Sequence, residues 1–315
     1  MSGVADVAST VLFNRSGELR SGWRVLVFLV LFSICITLLV TLADLTVIPA
    51  IEQLRSPLND AAISQLFLIR PLFEQTLSLG SVLVASAVSA RVLEHRSLGS
   101  IGYKLHSGWW RDCLLGLALG TAAIALAVAI ATTFSALEFE WRNAETVTLL
   151  TGLLGLFIFF AISAAFEELL VRGFVFQALA RDISPVAALV ITSVGFALLH
   201  LRNPEVSIFA LANTILAGVW LGVAYLKTRS LWLATALHTA WNFSMAYLFG
   251  LPVSGLTAFS QSGVLLGLPE TPLWISGGSY GPEGGAAATL TLIVSTVIIW
   301  KGSMFQTAEE MLIRK

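Results

Sequence analysis

Long apolar stretches recur along this chain and leave it few ways to fold. Eight can be read, at approximately Trp23–Ala43, Pro71–Ala90, Asp112–Leu137, Leu149–Ala180, Ser184–His200, Val206–Leu226, Leu231–Phe249 and Ala286–Trp300. Most are close to the ~20 residues a helix needs to cross a bilayer. The fourth is longer than one span requires, and the fifth and eighth are short. Of the 315 residues, 57% are hydrophobic and 12% charged, against about 25% charged in ordinary soluble domains. One soluble core of this size could not hide so much apolar surface, whereas lipid can cover it. The expected fold is all-α: a polytopic membrane helix bundle with about eight transmembrane helices.

The cations test that division. With the N-terminus inside, the inner side receives Arg15, Arg20, Arg24, Arg91, Arg96, Lys104 and Arg111. It then receives Arg172, Arg181, Lys227, Arg229, Lys301, Arg314 and Lys315. The outer side keeps Arg55, Arg70, Arg142 and Arg202. Lys and Arg favour cytoplasmic loops, so both termini are expected in the cytoplasm. Residues 1–22 read as a cytoplasmic or interfacial segment, and 23–315 as a single multi-pass membrane domain. The Gly- and Pro-rich stretch 251–285 reads as an external loop ending in flexible linker. Gly116 and Gly120 form a GxxxG pair suited to close helix packing. Cys35 and Cys113 suggest neither a disulfide framework nor a metal knuckle. A net charge of −1 shows no broad basic face for nucleic acid.

Deep ionisable residues cluster in the C-terminal half. A charge at the centre of a membrane helix costs about 2.5–3.5 kcal/mol on insertion scales, so such residues usually face protein or water and have a task. In Glu167-Glu168-Leu169-Leu170-Val171-Arg172, Glu168 and Arg172 are four apart on one helix face and can pair. Glu167 is turned about 100° away. One glutamate therefore reads as neutralised and the other as free to act. The alternative is that all three charges only hold helices together. His200 ends the fifth stretch after Phe196, and alone it could be a satisfied core histidine. His238 and Asn242 share a face of the seventh stretch, as a functional pair or an interhelical clasp. Asn213 in the sixth reads as helix-packing glue.

Glu167 and His200 are equidistant from the Ser184-Pro185 turn and match in depth across a hairpin. His238 lies closer to its inner turn than His200 does, so counting alone does not level the two histidines. A carboxylate with an imidazole can hold and deprotonate water. An imidazole with a carboxamide can stabilise an oxyanion. Two histidines and a carboxylate can also bind zinc, although HExxH is absent. No serine is singled out beside a base.

Taken together, these motifs resemble the CAAX prenyl endopeptidase and bacteriocin-processing family of intramembrane proteases. Its marks are Glu-Glu-x-x-x-Arg, Phe-x-x-x-His and His-x-x-x-Asn/Asp. They stand here as Glu167-Glu168 with Arg172, Phe196 with His200, and His238 with Asn242. Ser230 ahead of Leu231-Trp232 also fits the family, and the resemblance covers about residues 145–250. It implies Glu167 as general base on water, assisted by His200, with His238 and Asn242 as the oxyanion site. Glu168 and Arg172 would organise the helix or help bind substrate. It also implies a cavity within the membrane, with cytoplasmic access favoured.

The expected function is an intramembrane endopeptidase acting on membrane-associated, lipidated or leader-peptide substrates by glutamate-activated water. No cofactor is favoured; the alternative is a divalent metal such as zinc on Glu167, His200 and His238. The alternative function is a non-catalytic immunity or scaffold membrane protein of the same fold. A proton-coupled transporter is third, weakened by the lack of an inverted repeat. Expected partners are membrane lipids and a peptide or lipidated protein, not nucleic acid, in a prokaryotic plasma membrane. The C-terminus Leu312-Ile313-Arg314-Lys315 is not a CaaX box.

Overall fold

The computed structural model describes residues 11–14, 17–55 and 68–308. Arg15, Arg314 and Lys315, and most of the N-terminal segment, lie outside the described residues. The chain is mostly helical: α1 Ser21–Arg55, α2 Ile69–Glu94, α3 Trp109–Thr133, α4 Thr146–Glu168, α5 Phe174–Asp182, α6 Pro185–Leu199, α7 Ile208–Thr228, α8 Leu231–Phe243 and α9 Ala286–Lys301. A π-helical turn, Leu169–Gly173, joins α4 to α5.

Five helical spans among the described residues are long and apolar enough to cross a membrane: α1, α2, α3, α4 continued through α5, and α7. The lengths of α6 and α9 fall short of a full span, as their short apolar runs suggest. In α8 only 13 residues are α-helical, continued by a π turn, Ser244–Leu248. The reason is its position. Leu233, Ala234, Leu237, His238 and Trp241 of α8 are all buried, so the helix sits inside the bundle and need not match a bilayer. Lipid-facing surface lies elsewhere, where Leu38, Leu42 and Leu45 of α1 and Val186 and Val190 of α6 are exposed.

Serines start the helices around the site. The hydroxyls of Ser184, Ser207 and Ser230 accept from the backbone N–H of Ala187, Ala210 and Trp232, capping α6, α7 and α8. At one end of the bundle, Glu94 of α2 binds Arg24 of α1, Arg96 beyond α2 and Arg181 of α5. Cys35 and Cys113 are free.

The all-α expectation needs one correction. Strands β1 Leu137–Trp141 and β2 Leu265–Pro269 pair antiparallel, with Leu137 opposite Pro269 and Trp141 opposite Leu265. Leu137-Glu138-Phe139-Glu140-Trp141 alternates apolar and acidic residues, the period of a strand, which reading by apolar runs overlooks. The reading of 251–285 as ending in flexible linker is also corrected. Gly281 has φ +93°, and a Cβ there would lie 2.1 Å from the Pro252 carbonyl oxygen. These glycines allow tight backbone packing over the bundle end.

Gly116 and Gly120 bring α3 against α8. A Cβ at Gly120 would lie 2.5 Å from the Leu237 carbonyl oxygen and 2.9 Å from the Ala240 Cβ. A methyl there has no room unless α8 moves. Gly120→Ala is therefore expected to lower stability by about 1–3 kcal/mol, the range for overpacking, and to reduce activity by displacing His238. Gly195→Ala, with nothing within 4 Å of its added Cβ, is the control and should melt no earlier than the wild type. Thermal unfolding in detergent checks both.

Candidate active site

The C-terminal turn of α4, the end of α6 and the middle of α8 meet around one cavity of about 520 Å³. Glu167, His200, His238 and Asn242 all line it, as do Phe196 and Asn213. Glu168 and Arg172 lie behind that wall, with fully buried side chains.

The Arg172 Nη1 donates to Glu168 Oε1 at 3.0 Å, the i, i+4 pair read from the sequence. Its Nη2 donates to the Gly218 carbonyl at 3.0 Å, tying α4 to α7. The guanidinium carbon also stands 4.6 Å from the centroid of the Phe196 ring, a cation–π contact with α6. Glu168 Oε1 accepts from His238 Nδ1 at 3.1 Å, which reaches α8. The carboxylate acceptor places a proton on Nδ1, so His238 presents Nε2 to Glu167.

Glu167 is held differently. Its side chain is 22% exposed, while that of Glu168 is wholly buried. Ser163 Oγ donates to Glu167 Oε1 at 3.3 Å. The Oε2 atom lies 3.8 Å from His238 Nε2 and among the described residues has no hydrogen-bond partner. That gap is too long for a direct hydrogen bond and suits a bridging water.

His200 caps the end of α6 and donates from Nδ1 to the Phe196 carbonyl at 2.8 Å, leaving Nε2 as the unprotonated nitrogen of the neutral ring. Phe196 stands between the histidines, with ring centroids 4.8 Å from His200 and 5.9 Å from His238. The turn before α8 lies inside the protein. Thr228, Ser230 and Leu231 are fully buried there. Leu231 N donates to the Gly102 carbonyl at 2.9 Å, and Ala308 N donates to the Thr228 carbonyl at 2.8 Å. The start of α8 is thus covered by these segments inside the bundle, and His238 and His200 line the same cavity.

Asn242 is nearly buried beside the cavity, one turn beyond His238, and among the described residues no group hydrogen-bonds its amide. Asn213 is fully engaged. Its Nδ2 donates to the carbonyls of Glu283 and Gly285 at 2.8 and 2.9 Å, and its Oδ1 accepts from Thr289 at 2.6 Å. It fastens the 251–285 loop to α7.

The residue missed by sequence reasoning is Glu283. Its Oε1 accepts from Trp241 Nε1 at 3.2 Å, and its Oε2 accepts from the Ser254 amide and hydroxyl at 2.7 and 2.6 Å. It lines the cavity and locks the loop onto α8, next to Asn242. A lone acid among glycines carried no signal of this.

Residues 148–244 match the family model described as Type II CAAX prenyl endopeptidase Rce1-like. This segment resembles an Rce1-like domain. Neither a curated protein nor a solved structure matches the chain. The Rce1-like domain runs from α4 to the π turn after α8 and so contains every cavity residue named above except Glu283. The apolar spans make the chain an integral membrane protein, with a segment similar to a protease family at its centre.

Among the described residues, no three His, Cys, Asp or Glu side chains are grouped to hold a metal ion. The ion pair behind the cavity makes a separate, structural prediction. Removing one partner of a buried pair strands the other and typically costs about 3–5 kcal/mol. Arg172→Met should therefore unfold at markedly lower temperature. The double variant Glu168→Gln/Arg172→Met should recover part of the loss, because no buried charge is then left alone. Melting curves of the two variants in detergent decide the point.

Proposed function

We propose that the chain is an intramembrane endopeptidase that hydrolyses peptide bonds with water activated by Glu167. The observation that carries this reading is the unpartnered Glu167 Oε2, 3.8 Å from His238 Nε2 in a cavity shared with His200 and Asn242. The match to an Rce1-like domain over the same helices supports it.

Water held between Glu167 and the histidines gives its proton to the Glu167 carboxylate, and its oxygen attacks the peptide carbonyl carbon. The tetrahedral oxyanion is met by the Asn242 amide and by His238 Nε2–H when that ring is doubly protonated. The carbon–nitrogen bond then breaks, and the proton carried by Glu167, relayed through His200, goes to the departing amine. Glu168 holds His238 by its Nδ1 and takes no part in proton transfer. The substrate is a membrane-associated, lipidated or leader peptide, and the site is a prokaryotic plasma membrane.

Loss of a positioned general base usually slows a reaction by about 10²–10⁴-fold. Glu167→Gln should lose cleavage by that order while remaining folded and inserted. Peptide termini in membranes expressing the wild type and Glu167→Gln at matched levels test this: termini found only with the wild type are expected. No difference between the two would favour the scaffold reading. Cleavage that survives a strong chelator fits glutamate-activated water. Loss on chelation with recovery on zinc addition favours the metal alternative on Glu167, His200 and His238.

A further inference from the structure

The helix ends sort into two sides of the bundle. On one side stand Arg20 and Arg24 at the start of α1, Arg91 near the end of α2, and Arg96 and Lys104 beyond it. Arg111 at the start of α3, Arg181 at the end of α5, Lys227 and Arg229 between α7 and α8, and Lys301 at the end of α9 share that side. The opposite side holds the start of α2, the connection carrying β1, the α6–α7 connection and the 249–285 loop. Its described cations are Arg70, Arg142 and Arg202, among exposed Glu138, Glu140, Glu145, Glu205 and Glu270.

The cavity belongs to this second, acidic side. Its walls are built from Glu74 and Gln75 near the start of α2, Asn203 just past α6, and Ser254 and Glu283 of the long loop. The Glu74 side chain is 47% exposed, so that wall reaches the surface. The cavity floor, with Glu167 and His238, lies toward the cationic side. Between the floor and that side are the fully buried Thr228, Ser230 and Leu231 and the Glu168–Arg172 pair. None of the connections 95–108, 183–184 or 229–230 lines the cavity.

Cation-rich connections lie in the cytoplasm. We infer that the cavity opens on the outer face of the membrane, and that its substrate is a peptide segment delivered there by export or membrane insertion. The inference rests on the endopeptidase reading for the cleavage itself, but not for the orientation. It runs against the cytoplasmic access that the family resemblance favours. A lipidated C-terminus that stays in the cytoplasm could not enter. The reaction that supplies the substrate is therefore translocation, and cleavage follows it.

The orientation is tested on the full-length chain with Cys35 and Cys113 replaced by alanine. Thr257→Cys, exposed in the loop beside the cavity, and Ser97→Cys, exposed beyond α2, are labelled in intact bacterial cells with a membrane-impermeant maleimide. Thr257→Cys should label in intact cells, and Ser97→Cys only after permeabilisation. The reverse pattern, or equal labelling of both in intact cells, overturns the inference. The termini that depend on Glu167 are then mapped on their parent proteins. Outward-facing positions are expected, and cytoplasmic positions overturn the assigned substrate class. Outer labelling at Thr257→Cys without any Glu167-dependent termini keeps the orientation and overturns the endopeptidase reading instead.

Discussion

The buried ion pair between Glu168 and Arg172 is the constraint on which the rest of the structure depends. Two charges with no exposed surface inside an apolar bundle must be satisfied by what surrounds them. Arg172 does this by reaching a backbone carbonyl of α7 and the face of Phe196 on α6, and Glu168 by receiving His238 from α8. One pair thereby fixes four helices against one another. Such an arrangement is a weak source of net stability, because desolvation offsets much of the attraction. Its effect is to specify geometry: His238 has one ring orientation, and Phe196 is held where it separates the two histidines.

That geometry divides labour between two adjacent glutamates. Glu168 faces inward: its Oε1 is shared by Arg172 and His238, and its Oε2, unpartnered among the described residues, is buried away from the cavity. Glu167, one residue earlier, is turned toward the cavity, with a carboxylate oxygen that has no hydrogen-bond partner among the described residues. The π turn at Leu169–Gly173 follows directly, a distortion frequent at functional sites. The opposite wall is fastened by acceptors of a different kind. Glu283 and Asn213 spend their polar atoms on loop backbone, Trp241 and Thr289, so the loop forms a fixed side of the cavity.

Much of this was legible in sequence because it is local. The spacing of Glu168 and Arg172, and of His238 and Asn242, sets each pair on one helix face. The GxxxG pair stated the close approach of α3 that the structure realises against α8. What could not be read depends on remote contacts. Glu283 finds Trp241 and Ser254, 42 and 29 residues away, and glycine-rich composition looks the same whether it serves mobility or tight packing. The recess of α8 depends on residues near Gly102 and Ala308 covering its first turn. Apolar counting treats α8 as a lipid-spanning helix, whereas its neighbours are protein on nearly every face.

The most direct test of the account compares Glu167→Gln with Glu168→Gln, measuring melting temperature and cleavage on the same purified samples. The two variants should fail in opposite ways. Glu167→Gln should melt near the wild type and lose cleavage by about 10²–10⁴-fold, whereas Glu168→Gln should melt well below the wild type because Arg172 loses its counter-charge. Equal loss of activity with unchanged melting in both variants, or cleavage retained by Glu167→Gln, would contradict it.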